Sequence, residues 1–218
     1  MMRLRLAQTL PGSRAQLEMS PEYSVASLFN PTPEGAVDSA VLAMLSPATT
    51  SSSPESESKL LDWSILLIRR NLYPGVHSGQ IALPGGRSEE TDADFWATAQ
   101  REAWEEVGVL PDQLCLAGRL TSLYVPGSNF VIHPFVATVS SDFLARADER
   151  EVADFKRVPL RIFDPARAAR MNFLWSDGRE RPAPAWQYED YTVWGATAMI
   201  LAELYRAIVG GILAFELN

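Results

Sequence analysis

Apolar positions along the chain change period several times, and each change marks a predicted element. Dense apolar runs at 40–45 (AVLAML) and 63–70 (WSILLIRR) predict two buried strands. The polar run between them, 46–59 (SPATTSSSPESESK), buries too little apolar surface to order itself and predicts a mobile hairpin loop. Residues 80–83 predict a short strand that delivers the chain into Pro84, Gly85 and Gly86. Trp96, Ala99, Ala103 and Val107 then recur at helical spacing, which predicts a helix with one buried stripe. Thr91 or Asp92 is its expected N-cap, and Gly108 suits the left-handed residue after its last turn.

Downstream, residues 113–125 predict a strand, 126–129 (PGSN) a turn, and 130–139 a second strand. Pro134 breaks the ladder of that second strand, which points to a bulge or a sheet edge. Residues 155–160 predict another strand, 161–171 a helix, and 193–209 a last helix. The first residues predict a short helix lying on the domain with Leu4, Leu6 and Leu10 packed inward. The organisation expected is a segment over 1–36 packed on one domain that spans 37–218.

Composition narrows the class. The chain has 218 residues, 47% hydrophobic and 21% charged, enough for one domain with a sizeable core. A net charge of -8 argues against nonspecific binding to nucleic acid or anionic membranes, so no nucleic-acid or membrane partner is expected. One cysteine, Cys115, gives no intrachain disulfide and fits a reducing compartment, with the cytoplasm the expected location. Three arginines precede Glu18, but the segment lacks the apolar core of a secretory signal, and 199–215 is broken by Glu203, Arg206 and a glycine pair. The aromatics Phe173, Trp175, Trp186, Tyr188, Tyr191 and Trp194 suit core or homodimer contacts better than stacking on an adenine.

The chemistry concentrates at 83–109. At about 100° per residue, Glu105 falls about 60° to one side of Glu102 and Glu106 about 40° to the other. Three carboxylates share one stripe beside the buried face, and their repulsion needs compensation. A hard divalent cation, Mg²⁺ or Mn²⁺, supplies it, because such ions take oxygen ligands and the oxygens of a substrate phosphate. Arg101 points about 100° away from the stripe and is suited to hold the glycine loop by charge-assisted bonds to its carbonyls or acids.

This stretch resembles the Nudix box of the Nudix hydrolases: a glycine, five residues, a glutamate, seven residues, then Arg-Glu-aliphatic-x-Glu-Glu-x-Gly-aliphatic. Gly86 and five residues lead here to Asp92 instead of glutamate, and eight residues follow before Arg101, Glu102, Ala103, Trp104, Glu105, Glu106, Val107, Gly108 and Val109. The longer gap, the acidic loop ending in Asp92, and Thr98, Ala99, Arg101, Glu102 and Ala103 are similar to the coenzyme A diphosphatase branch. His77, Gly79, Gln80, Pro84, Gly85 and Gly86 match a further run of that branch. Leu83 replaces its usual aromatic, and Pro74-Gly75 stand where many members carry Leu-Arg.

The resemblance implies an α/β/α sandwich with a mixed β-sheet, the box helix on one face and the last helix on the other. It implies metal-dependent hydrolysis of a nucleoside-linked diphosphate, above all coenzyme A or its thioesters, to 3′,5′-ADP and 4′-phosphopantetheine. Metal ligands are then Glu102, Glu105 and Glu106 with the Gly86 carbonyl, and Arg101 is the orienter. Glu151, with Glu149 as the alternative, is the further acid that completes the metal set or acts as base. Substrate contacts are expected from Arg70, His77, Gln80, Gly85 and Arg87, with Arg69 another candidate for the missing basic contact. Two alternatives stand: another Nudix substrate such as ADP-ribose, NADH or a dinucleotide polyphosphate, or a noncatalytic Nudix-like nucleotide sensor.

Overall fold

The computed structural model describes residues 3–7, 9–21, 32–47, 60–73, 78–175 and 178–216. In chain order the elements are β1 (Arg3–Leu6), α1 (Ser13–Leu17), β2 (Val37–Ser46), β3 (Ser64–Arg70), β4 (Ile81–Ala82), β5 (Gly85–Arg87), α2 (Phe95–Val107), β6 (Cys115–Arg119), β7 (Leu123–Val125), β8 (Phe130–Thr138), β9 (Val152–Pro159), β10 (Ala169–Leu174), β11 (Glu180–Tyr188), β12 (Tyr191–Trp194), α3 (Gly195–Val209) and β13 (Leu213–Glu216).

Strand β2 is the spine. It runs parallel to β8 along its length and antiparallel to β3 at Leu45–Ile65 and to β5 at Val41–Gly85, so the sheet is mixed. Alternation along β2 splits the core into two layers. Ala40, Leu42 and Met44 pack with Ala99, Ala103 and Val107 of α2, while Ala43 and Leu45 pack with Ala198, Leu201 and Leu204 of α3. The fold is thus an α/β/α sandwich with a mixed sheet. At about 1.5–3 kcal/mol for each fully buried large aliphatic side chain, these layers hold both helices against the sheet. Phe95, the first residue of α2, stacks on His133 of β8 at 3.8 Å, and His133 is itself held between Ser122 and Asp38 at 2.9 and 2.8 Å.

Several sequence expectations change. The first residues are not helical: β1 pairs antiparallel with β13, and the helix begins only at Ser13. Leu4 is buried while Leu6 and Leu10 pack partly against the core. The 113–125 strand is two strands, interrupted at 120–122 opposite Pro134. Strand β8 is central, not an edge, with β2 on one side and β6 and β7 on the other. Pro134 has no amide hydrogen to give and meets the break, where its carbonyl accepts from Leu120 N at 2.9 Å. Instead of a helix at 161–171, two 3-10 turns (Leu160–Phe163 and Pro165–Arg167) lead into β10. Asp164 accepts from Ala166 N and Pro165 fixes the second turn, so the local bonds compete with an α-helix. Residues 48–59 of the Ser-rich loop lie outside the described residues, and β2 and β3 pair antiparallel on either side of them. Among the described residues, no helix is long and apolar enough to cross a membrane.

Candidate active site

Helix α2 begins at Asp94, not at Thr91 or Asp92: the Asp94 side chain accepts from Ala97 N at 2.8 Å. Gly108 ends it in the left-handed conformation, φ 73°, as its position suggested. Asp92 is spared for another task. Its two carboxylate oxygens accept from Nε and a terminal nitrogen of Arg101, both at 3.0 Å, and Thr98 Oγ1 adds a bond at 2.9 Å. The guanidinium holds the Asp92 carboxyl down to about 2, and Asp92 in turn raises the Arg101 pKa. Arg101 also donates to the Arg87 carbonyl at 2.9 Å, which locks the acidic loop to the helix.

Arg101 does not turn its back on the acidic stripe. Its remaining terminal nitrogen bonds Glu102 Oε1 at 2.9 Å and Glu105 Oε2 at 3.2 Å. A guanidinium long enough to reach both sides serves the loop and the stripe together. Arg101→Lys removes this fork, since one ammonium cannot bind Asp92, the Arg87 carbonyl and Glu102 in one plane. Turnover is expected to fall roughly 10–100-fold with the helix content intact by circular dichroism.

Glu106 lies one turn further on and is 1% exposed. Its Oε2 accepts from Gly85 N at 2.8 Å, and its Oε1 stands 3.6 Å from a terminal nitrogen of Arg70. Arg70 also donates to the Gly85 carbonyl at 2.6 Å, so both sides of the glycine loop are tied to this pair. Burial pushes the Glu106 carboxyl up to about 8, against the pull of Arg70 and the Gly85 amide. Burial raises Glu102 as well. Glu102 fills the space beneath Gly86, where an added Cβ would meet its carboxyl at 2.5 Å. The negative charge of Glu151 adds to the rise at both Glu102 and Glu106.

The structure therefore gathers Arg70, Gly85, Gly86, Arg101, Glu102 and Glu106, with Glu105 half out in solvent and Glu151 exposed just before β9. Glu149 instead presents its carbonyl to Asn71 Nδ2 at 2.7 Å. Arg87 is exposed and contributes its carbonyl, while the Gln80 carbonyl accepts from Arg70 N at 3.1 Å. Arg69 points to the other face, where Asp154 and Asp190 hold it. His77 and Pro74-Gly75 lie outside the described residues. The sequence expected Arg101 to hold the loop through its carbonyls or acids, and the Arg87 carbonyl and Asp92 are those partners. The Arg70–Glu106 approach carried no mark in the sequence.

Among the described residues, no three acidic, histidine or cysteine side chains already converge as a metal cluster. Arg101, Arg70 and the Gly85 amide engage the carboxylate oxygens instead. The donor set is nonetheless all oxygen and rich in charge that burial disfavours, which fits a hard divalent cation.

A raised carboxyl has a consequence for the metal-free protein. Below about pH 4.5, Glu106 is protonated folded or unfolded, and between there and about 8 only the folded chain keeps the proton. Its contribution to stability is thus complete at low pH and lost as pH rises through 8. Urea unfolding with chelator present is expected to show stability falling by up to about 1.4 kcal/mol per pH unit across that window, and a shallower fall in Glu106→Gln.

Comparison with known proteins agrees with the fold. The NUDIX domain family matches residues 56–175, and the chain belongs to the Nudix family. It is 32% identical over 150 residues to a protein described as an uncharacterized Nudix hydrolase NudL of Yersinia enterocolitica, covering 66% of this chain and 74% of that one. The NudL of an Enterobacter species is 36% identical over 143 residues, covering 64% and 72%. A MutT/nudix family protein from Enterococcus faecalis has the same fold at a TM-score of 0.50 and 14% identity, over 84% of this chain and 66% of that one. Family membership supports a hydrolase of diphosphate bonds, a class that uses divalent ions such as Mg²⁺ or Mn²⁺.

Proposed function

We propose that the protein hydrolyses a nucleoside-linked diphosphate, with coenzyme A or an acyl-coenzyme A as substrate and 3′,5′-ADP and 4′-phosphopantetheine as products. The observation that carries the reading is the buried Glu106 held between the Gly85 amide and Arg70, one helical turn from Glu102 and within the field of Glu151. Nothing in the packing of α2 needs an acid there. Coenzyme A is favoured by the Pro84-Gly85-Gly86 turn, by Thr98, Ala99, Arg101, Glu102 and Ala103, and by the eight-residue gap after Asp92.

Glu102, Glu105 and Glu106, with the Gly86 carbonyl, would hold Mg²⁺ or Mn²⁺. When bound, the metal supplies charge neutralisation of the bridging phosphates and a lowered pKa for water. The chain's own groups do the rest. Arg101 orients Glu102 and the loop, and Asp92 and Thr98 orient Arg101. Arg70, Gln80 and Arg87 line the approach to Gly85 and receive the anionic substrate. The Glu151 carboxylate takes the proton of the attacking water as its oxygen bonds to phosphorus and the bridging P–O bond breaks. The leaving phosphate carries away the electron pair.

A second reading keeps the chemistry and changes the substrate to ADP-ribose, NADH or a dinucleotide polyphosphate. It is favoured by Pro74-Gly75 in place of Leu-Arg. Initial rates measured in parallel on coenzyme A, ADP-ribose, NADH and diadenosine polyphosphates decide between them. The fastest cleavage is expected on coenzyme A, and a faster rate on any other moves the substrate assignment there.

A further inference from the structure

Beside the candidate site, β3 and β9 carry an irregularity whose support lies on the opposite face of the sheet. Arg69 pairs with Asp154 but Arg70 pairs with Val152, so Ala153 is one residue more than β3 can match. An extra residue in one strand sends everything beyond it to the other face. In a regular ladder Ala153 would stand beside Arg70 and Val152 would face α3. With the bulge, Val152 joins the core beneath α2 beside Arg70, and Ala153 is exposed. The chain then enters at Glu151, whose carbonyl accepts from Asn71 N at 3.0 Å. Arg70 thus stands at the bulge on the active face, and the backbone of Glu151 is tied to the next residue of the chain after β3.

A bulge forfeits ladder bonds, and here the compensation is on the α3 face. The buried Tyr191, at the start of β12, donates its hydroxyl to Asp154 Oδ1. Arg69 Nε stands 3.4 Å from Asp154 Oδ2, and its guanidinium lies 4.8 Å from the Tyr191 ring centre while pairing with Asp190. Lys156 Nζ is 5.1 Å from the same ring and bonds Glu189 at 2.5 Å as well as Asp190. The turn between β11 and β12 is therefore clamped to β3 and β9 at the residue next to the bulge. Packing alone would be satisfied by the ring. The hydroxyl bond gives the buried phenol its partner and holds Asp154, the residue next to the bulge.

We propose that Tyr191 and Asp154 are positioning residues for the hydrolytic site: their bond pins the bulge at Ala153 and so sets Arg70 and Glu151 against Glu106. The inference rests on the diphosphate hydrolysis proposed above. Tyr191→Phe tests it, because the ring, its packing and both cation contacts remain while the bond to Asp154 goes.

Backbone amide exchange is the first readout. The variant is expected to exchange the Asn71 and Val152 amides roughly tenfold faster, with the α3 amides of Ala202 and Leu204 unchanged. The second is kinetic: kcat is expected to fall roughly tenfold with KM within about twofold, and Tyr191→Phe added to Glu151→Gln is expected to lower kcat no further. Unchanged exchange at Asn71 and Val152 overturns the proposal, as does an equal kcat loss in both backgrounds. A wild-type protein that cleaves no diphosphate counts against the proposed function instead, and the exchange rates still decide whether the bond holds the bulge.

Discussion

Glu106→Gln is expected to abolish turnover, lowering kcat by at least about 10³-fold, while the protein stays folded. The two parts of that outcome have separate causes. Glutamine has the same shape and retains an oxygen for the Gly85 amide, so the bond that ties the glycine loop to α2 survives. What disappears is the negative charge of the most buried carboxylate of the stripe, which a divalent ion requires. Because a buried carboxylate is costly at pH 8, the metal-free variant is expected to melt at or above the wild-type temperature there. Steady-state kinetics and a thermal melt at pH 8 check both parts. A folded variant within tenfold of wild-type turnover would remove Glu106 from the reaction.

Gly85→Ala is expected to be the most damaging single methyl group in the site. Gly85 has φ 153° in β5, and a Cβ would stand 2.3 Å from the Ala40 carbonyl and 2.6 Å from Val41 Cα, both in the spine strand β2. Neither neighbour can yield without moving β2, and Val41 in turn pairs with β8. The substitution is expected to cost about 3 kcal/mol or more and to lower the melting temperature by roughly 10 °C. Activity is expected to fall further than the folded fraction, since the Gly85 amide and carbonyl hold Glu106 and Arg70. At Gly86 the clash is with the end of a side chain, so Gly86→Ala is expected to spare the melt and to displace Glu102. A melt of Gly85→Ala indistinguishable from wild type would refute the tight approach of β5 to β2.

What the sequence made legible is local in origin. The period of Trp96, Ala99, Ala103 and Val107, the left-handed Gly108 and the acidic row needed only neighbours within a few turns, and α2 appears where they placed it. The dense apolar runs of β2 and β3 were equally plain. What escaped depends on partners far along the chain. The segment Arg-Leu-Arg-Leu of β1 alternates, yet nothing nearby could offer a strand to pair with, because β13 begins at Leu213. Residues 161–171 look helical by propensity, but Pro165, the Asp164 bonds and pairing of β10 with β11 decide otherwise. The same limit applies inside the site. The bond of Arg101 to the loop acids and carbonyls was readable, whereas Arg70 against Glu106 and Tyr191 behind the bulge are contacts that only the folded sheet creates.

The most direct test of the central claim is mass spectrometry of the products after the purified protein meets coenzyme A with Mg²⁺ or Mn²⁺, with a chelator control. Metal-dependent appearance of 4′-phosphopantetheine and 3′,5′-ADP in equal amounts, absent with chelator, is the result expected. Intact coenzyme A in every sample would contradict the proposed substrate, and the same products at an undiminished rate in chelator would contradict the role given to the acidic stripe.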